Sequence, residues 1–296
     1  MKKRSLKLGY FYIILSAVLF GCMPLMANRI YADGVNAMTL VFFRNALSLP
    51  FLAALVFLKK ESFAVSPKTV LPVVVIGIFG CALTPFLLFS SYKYISGGTA
   101  TVFHFVYPAI VLLLGIVFLR NKVSGGSLVA IILCLLGIAL FYNPAESINL
   151  EGSILALSSG VTYGIYIFLL GRFDRRGMGG YVFAFFVAAA SALALLAVCL
   201  VSGGLSLPKT LGGYLLCILF ALLINVGAVV LFQSGTFIIG GEKASILSTF
   251  EPITSLVVGF VALGESIGYL SIIGSVLVLS ASVLIAVLDG KKAKSE

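Results

Sequence analysis

Residues 97–119, GGTATVFHFVYPAIVLLLGIVFL, return in altered form 144 positions later as GEKASILSTFEPITSLVVGFVAL, residues 241–263. At that offset Gly97, Ala100, Pro108, Leu112, Gly115, Val117 and Leu119 meet Gly241, Ala244, Pro252, Leu256, Gly259, Val261 and Leu263. Both copies are apolar on every side for about 20 residues, the length an α-helix needs to cross hydrocarbon. Duplicated segments of this kind most often belong to a membrane carrier built from two halves around a central site.

Soluble chains are roughly 45–50% apolar and about 25% charged. This one, at 296 residues, is 61% hydrophobic and 10% charged. A β-barrel would show short segments of alternating polarity instead of these long apolar runs. The expected class is therefore an all-α membrane protein, and the net charge of +10 bears on topology, with no nucleic-acid partner implied.

Ten spans are expected, at residues 10–30, 36–58, 71–94, 99–119, 127–142, 152–173, 181–201, 211–233, 244–263 and 269–288. With the N-terminus in the cytoplasm, the inner side collects the basic groups at Lys2, Lys3, Arg4, Lys59, Lys60, Arg172, Arg175, Arg176, Lys291 and Lys292. The outer side receives only Arg29, Lys93 and Lys209, a positive-inside bias that puts both termini in the cytoplasm of a multi-pass protein of the cell membrane. Lys2, Lys3 and Arg4 before an apolar run resemble a secretory leader, but the run is too long and has no small-residue cleavage site. The five cysteines, Cys22, Cys81, Cys134, Cys199 and Cys217, fall inside spans without CxxC spacing, so no disulfide framework, metal site or cofactor is expected.

At an offset of 143, Gly9, Ser16, Val18, Gly21 and Arg29 meet Gly152, Ser159, Val161, Gly164 and Arg172. Five spans per half is an odd number, so the second half enters the membrane inverted relative to the first. The expected organisation is a five-helix repeat over residues 1–143, an extracellular linker at 144–151, an inverted five-helix repeat at 152–290 and a cytoplasmic tail at 291–296. Ala17 with Gly21 and Gly160 with Gly164 are small-xxx-small pairs, read as close helix packing.

The segment 150–172, LEGSILALSSGVTYGIYIFLLGR, and above all 244–267, ASILSTFEPITSLVVGFVALGESI, resemble the EamA-type members of the drug/metabolite transporter superfamily. The match lies in the Glu-Pro inside an apolar run followed by Leu-Gly-Glu, in TPFLLFSSYKYISGGTATVFHFVYP at 84–108, and in Arg44 of span two. It departs at Asn121, where the first half lacks the acid that Glu265 supplies in the second. The resemblance implies a basket of ten helices that moves small metabolites, often amino acids and usually outward, without ATP.

Ionisable groups inside a membrane span cost about 2.5–3.5 kcal/mol each even on gentle insertion scales, so they face a cavity or a partner. At 1.5 Å per residue, Glu251 lies about 12 Å inside span nine, and Arg44 is about as deep from the other side in span two. They are candidate substrate-binding residues, with a structural Glu251–Arg44 ion pair as the alternative. Pro108 and Pro252 are expected to kink spans four and nine and to free the carbonyls of His104 and Ser248, the alternative being ordinary membrane-helix kinks with satisfied neighbours. Tyr107 and Glu251, repeat equivalents, precede the two prolines. His104, the only histidine, titrates in a range suited to moving protons; with Glu251 it is a candidate for proton coupling, and the alternative is a hydrogen-bonding packing residue. Asn225 and Gln233, eight apart, are expected near one face of span eight, with Asn225 a neutral substrate contact and interhelical hydrogen bonding as the alternative for either. Tyr163 and Tyr166 are weaker candidates.

No GxxxxGK[ST] loop is present for an ATP-driven pump, and one histidine cannot make HExxH, so an enzyme is not expected. No repeated filter loop points to a selective channel. The expected function is a secondary carrier of a small polar or amphipathic metabolite. A zwitterion fits, its carboxylate on Arg44 and its ammonium on Glu251. A membrane scaffold and a channel-like exporter are the alternatives.

Overall fold

The computed structural model describes residues 2–95, 97–119, 125–140, 149–202, 204–263 and 268–295. Each of the ten expected spans is helical, and no strand occurs among the described residues. Among the described residues seven helices, from Leu6–Ala32 to Leu211–Ile239, have the length and hydropathy to cross a membrane. Spans five and ten carry the shorter apolar helices Leu128–Ala139 and Ile272–Ala281. Span nine is Gly241–Leu247 followed by Phe250–Leu263. Most of the linker between halves, Asn121 and Glu265 lie outside the described residues.

Proline lacks an N–H and fits best in the first turn of a helix, where that donor would have no partner anyway. Five prolines inside the expected spans act in this way. Pro24 opens Met23–Ala32, Pro50 opens Leu49–Leu58 and Pro85 opens Thr84–Ser91. Pro108 and Pro252 stand in the first turns of Tyr107–Leu119 and Phe250–Leu263. Spans four and nine are thus pairs of helices that stop and restart, where kinked continuous helices were expected. The Ser248 carbonyl is not freed by Pro252, because the turn tightens and this oxygen accepts the Glu251 N–H at 3.0 Å. Its counterpart in span four, the His104 carbonyl, packs against Gly160, where a Cβ would collide with it.

Spans three and eight each widen into a π-helical stretch, Ile78–Leu83 and Ala221–Val229, whose first residues stand 143 apart like the sequence repeat. Such i→i+5 turns are rare and recur at functional sites. In span three, Thr84 Oγ1 donates to the Phe79 carbonyl at 2.6 Å. In span eight the wider turns begin before Asn225 and end short of Gln233, and the two side chains reach different helices. Asn225 Nδ2 donates to Asn45 Oδ1 (3.2 Å) and Ser48 Oγ (3.0 Å) in span two, whereas Gln233 lies beside Tyr166 of span six.

Helices in lipid gain little from burying apolar surface, so they associate through close approach of small residues. Gly21 of span one abuts Thr254 and the Glu251 carbonyl of span nine, and Ser255 Oγ donates to the Gly21 carbonyl at 3.0 Å. Gly164 of span six, the repeat equivalent of Gly21, abuts Ile110 and the Tyr107 carbonyl of span four. The first helix of each half therefore packs on the fourth helix of the other.

Carboxylates tie the two ends of the bundle. At one end Asp33 Oδ2 accepts the N–H groups of Lys209 (3.0 Å) and Thr210 (3.2 Å), and Asn36 Nδ2 donates to the Gly204 carbonyl at 2.6 Å. At the other end of span two, Glu61 Oε2 accepts from Tyr181 (3.0 Å) and Val182 (2.9 Å), donors in the first turn of Gly180–Ser202 that have no intrahelical partner. Glu61→Ala is expected to lower stability by about 0.5–2 kcal/mol, the worth of a helix cap. Thermal unfolding in detergent reads it; an unchanged midpoint would mean that water satisfies these donors equally well.

Candidate functional site

Inside the bundle lies a cavity of about 40 Å³ lined by spans one, two, three, four, six, eight and nine. It brings together the weaker candidates Tyr163 and Tyr166 and three of the principal residues singled out from sequence: Arg44, His104 and Glu251. All three are buried, at 3%, 5% and 8% exposure. The broken and bulged helices meet here. Met23 and Glu251 stand at restarts, His104 at a stop, and Gly80 and Cys81 within a π stretch.

Arg44, in the last turn of Ala37–Ala46, lies beside Cys81, Tyr163 and Tyr166. Its Nε has no hydrogen-bond partner among the described residues. Glu251 sits in the first turn of Phe250–Leu263, where the positive end of the helix dipole favours an anion. Its charge lies within reach of Tyr92, Tyr107 and Tyr163. No ion pair joins Arg44 to Glu251 among the described residues. The guanidinium and the carboxylate therefore enter the cavity separately. His104 Nδ1 is 2.8 Å from Ser159 Oγ.

Tyr163 organises the aromatic wall. Its ring lies 5.2 Å from His104, 4.9 Å edge-on to Tyr107, 5.6 Å stacked on Tyr166 and 5.8 Å from Phe232. Gly80 of span three leaves room for the Tyr166 ring, which a Cβ there would strike.

Two expected contacts stand outside the lining. Tyr107 is fully buried and bonds through its hydroxyl to Ser248 Oγ at 2.7 Å. Asn225 Nδ2 is engaged with Asn45 and Ser48, while its Oδ1 has no hydrogen-bond partner among the described residues. Their positions tie span four to span nine and span eight to span two. Sequence reasoning also missed span three, which contributes Gly80, Cys81, Thr84 and Pro85. The signal was there in Thr84-Pro85, a polar residue and a helix opener in the middle of an apolar run.

At about 40 Å³ the cavity has room for only a few waters. It must widen to admit a metabolite. Its chemistry nevertheless suits recognition: a donor-only cation, a carboxylate, an imidazole and an aromatic wall, all shielded from bulk water. Among the described residues no three His, Cys, Asp or Glu side chains converge as metal ligands do.

The profile of the EamA-like transporter family matches twice, over residues 7–143 and residues 150–287. An "Uncharacterized transporter" of Clostridium kluyveri is 23% identical over 94% of this chain and 93% of its own length. A second protein of that description, from Archaeoglobus fulgidus, is 28% identical over 96% of this chain and 97% of its own. One solved crystal structure superposes with a TM-score of 0.76 at 21% identity, covering 97% of this chain and 98% of the other, a likeness of fold.

Proposed function

We propose that this chain, which belongs to the EamA-like transporter family, is a secondary carrier that exports a small polar or amphipathic metabolite, an amino acid or a close relative, by alternating access. The observation that carries the reading is the convergence of Arg44, His104 and Glu251 on one cavity inside the bundle without an Arg44–Glu251 ion pair. A scaffold would pair these charges to avoid leaving each buried alone. A carrier keeps them apart for a ligand that bears both signs. Arg44 would hold a carboxylate, and Glu251 an ammonium or, in the empty carrier, a proton. Tyr107 and Asn225 act at one remove, by holding the helices on which these residues stand.

The carrier reading treats 7–143 and 150–287 as inverted halves, with both termini cytoplasmic. The crossed packing of Gly21 on span nine and Gly164 on span four, and the paired π stretches, support that symmetry. Alternating access then rocks the halves about the cavity, with the restarts in spans four and nine as natural points of bending.

Counterflow in proteoliposomes tests the proposal, with a panel of labelled amino acids and small metabolites. Accumulation of a labelled compound against its unlabelled counterpart is expected of a carrier. A scaffold gives none, and a channel-like exporter gives flux without counterflow. Glu251→Gln is expected to abolish pH-driven flux while leaving exchange measurable. Equal loss of both would give Glu251 a role in binding or folding instead of proton coupling.

A further inference from the structure

We infer that Ser159 is a positioning residue that fixes the tautomer of His104, so that the imidazole offers an unprotonated Nε2 to the cavity as an acceptor for an N–H or O–H group of the substrate. The substrate half of this inference rests on the carrier reading; the tautomer stands on hydrogen-bond accounting alone.

A serine hydroxyl has one proton to donate. Ser159 Oγ commits it to the Ala156 carbonyl, 2.6 Å away and one turn earlier in span six. Toward His104 Nδ1, at 2.8 Å, the same oxygen can then only accept, so the bridging hydrogen has to come from the ring. In a neutral imidazole this leaves Nε2 without a proton. The reverse arrangement, with Ser159 donating to Nδ1, gives up the shorter of the two contacts. Neighbouring rings oppose a flip that would exchange the nitrogens: Phe105, Tyr107 and Tyr163 stand with centroids 5.8, 5.4 and 5.2 Å from the imidazole. Ser159 itself is fully buried on Leu150–Arg172, a helix that runs unbroken past a cavity made otherwise of interrupted ones. A rigid element is where a positioning group belongs.

The cavity then has a polarity. Arg44 can only donate, while Glu251 as carboxylate and His104 Nε2 both accept. The matching ligand carries an acceptor at one end and at least two N–H or O–H donors at the other, which an unsubstituted ammonium supplies and a trimethylated one does not. The competing state is the imidazolium, since His104 ends the helix Gly97–His104, where positive charge is favoured. The test has to separate it.

Because His104 is the only histidine, the full chain grown with ¹⁵N-histidine shows a single imidazole pair by NMR. The expected spectrum has Nδ1 protonated and Nε2 unprotonated, and Ser159→Ala is expected to move the ring toward the Nε2–H form. A protonated Nε2 in the parent, as either the other tautomer or the imidazolium, overturns the inference, as does a tautomer indifferent to Ser159→Ala. No substrate enters this measurement, so a failure of counterflow for every compound would remove the carrier reading and leave the tautomer standing. For the compound that counterflow selects, Ser159→Ala should raise half-saturation about fivefold, the worth of one hydrogen bond, with the maximal rate kept. A changed tautomer with unchanged half-saturation would overturn the acceptor role.

Discussion

Arg44→Met is expected to lower counterflow at subsaturating substrate between about thirtyfold and several thousandfold while the protein stays folded. The two halves of that result have separate causes. Removing one partner of a buried charge-assisted contact costs about 2–5 kcal/mol of binding, and each 1.4 kcal/mol is roughly tenfold. Stability moves the other way, because Arg44 is 3% exposed and, among the described residues, its Nε is unpaired and no carboxylate neutralises it. Replacing buried charge by an apolar side chain of similar reach is often neutral or stabilising by about 1–4 kcal/mol. Purified variant protein would be melted in detergent and then assayed in proteoliposomes. Undiminished counterflow would remove Arg44 from the site, and collapse of the fold would give it the structural role instead.

Gly160→Leu has the opposite profile, a loss of more than about 3 kcal/mol of stability, enough to leave little folded protein. A side chain at Gly160 is driven into the His104 carbonyl and the Val106 side chain at the break in span four. Backbone at that point cannot give way without moving both short helices. Gly115→Leu, in span four, is the control. Nothing lies within 4 Å of a Cβ there, and leucine is the better helix former. Comparable melting of the two variants would show that span six does not depend on close approach to span four.

Lipid made much of this molecule legible. It requires about 20 apolar residues per crossing, so every span could be placed, and it penalises charge, so Arg44 and Glu251 stood out at once and do share a cavity. What composition conceals is phase. Asn225 and Gln233 look like neighbours at helical spacing, but Asn225 hydrogen-bonds into span two while Gln233 lies beside Tyr166 of span six, with part of a π stretch between them. Prolines were visible, yet whether one kinks a helix or begins a new one depends on the preceding turn: Glu251 N–H finding the Ser248 carbonyl settles it in span nine. Tyr163 was ambiguous because an aromatic at helical spacing looks the same in packing and in a cavity wall. Only its neighbours distinguish the two.

The crossed packing of first and fourth helices has a consequence for biosynthesis. Gly21 leaves the ribosome some 230 residues before Glu251, against which it will lie. At roughly 5–20 residues per second, that partner arrives about 12–46 s later. During the wait, span one sits in the bilayer with its glycine face uncovered, and Arg44 is already inserted while Tyr163 and Tyr166 are still unmade. The first five spans are therefore no free-standing intermediate, whatever their likeness to the second five. A ribosome that stalls short of span nine leaves an open-sided bundle, a target for the membrane's proteases and insertion chaperones and not half of a working machine.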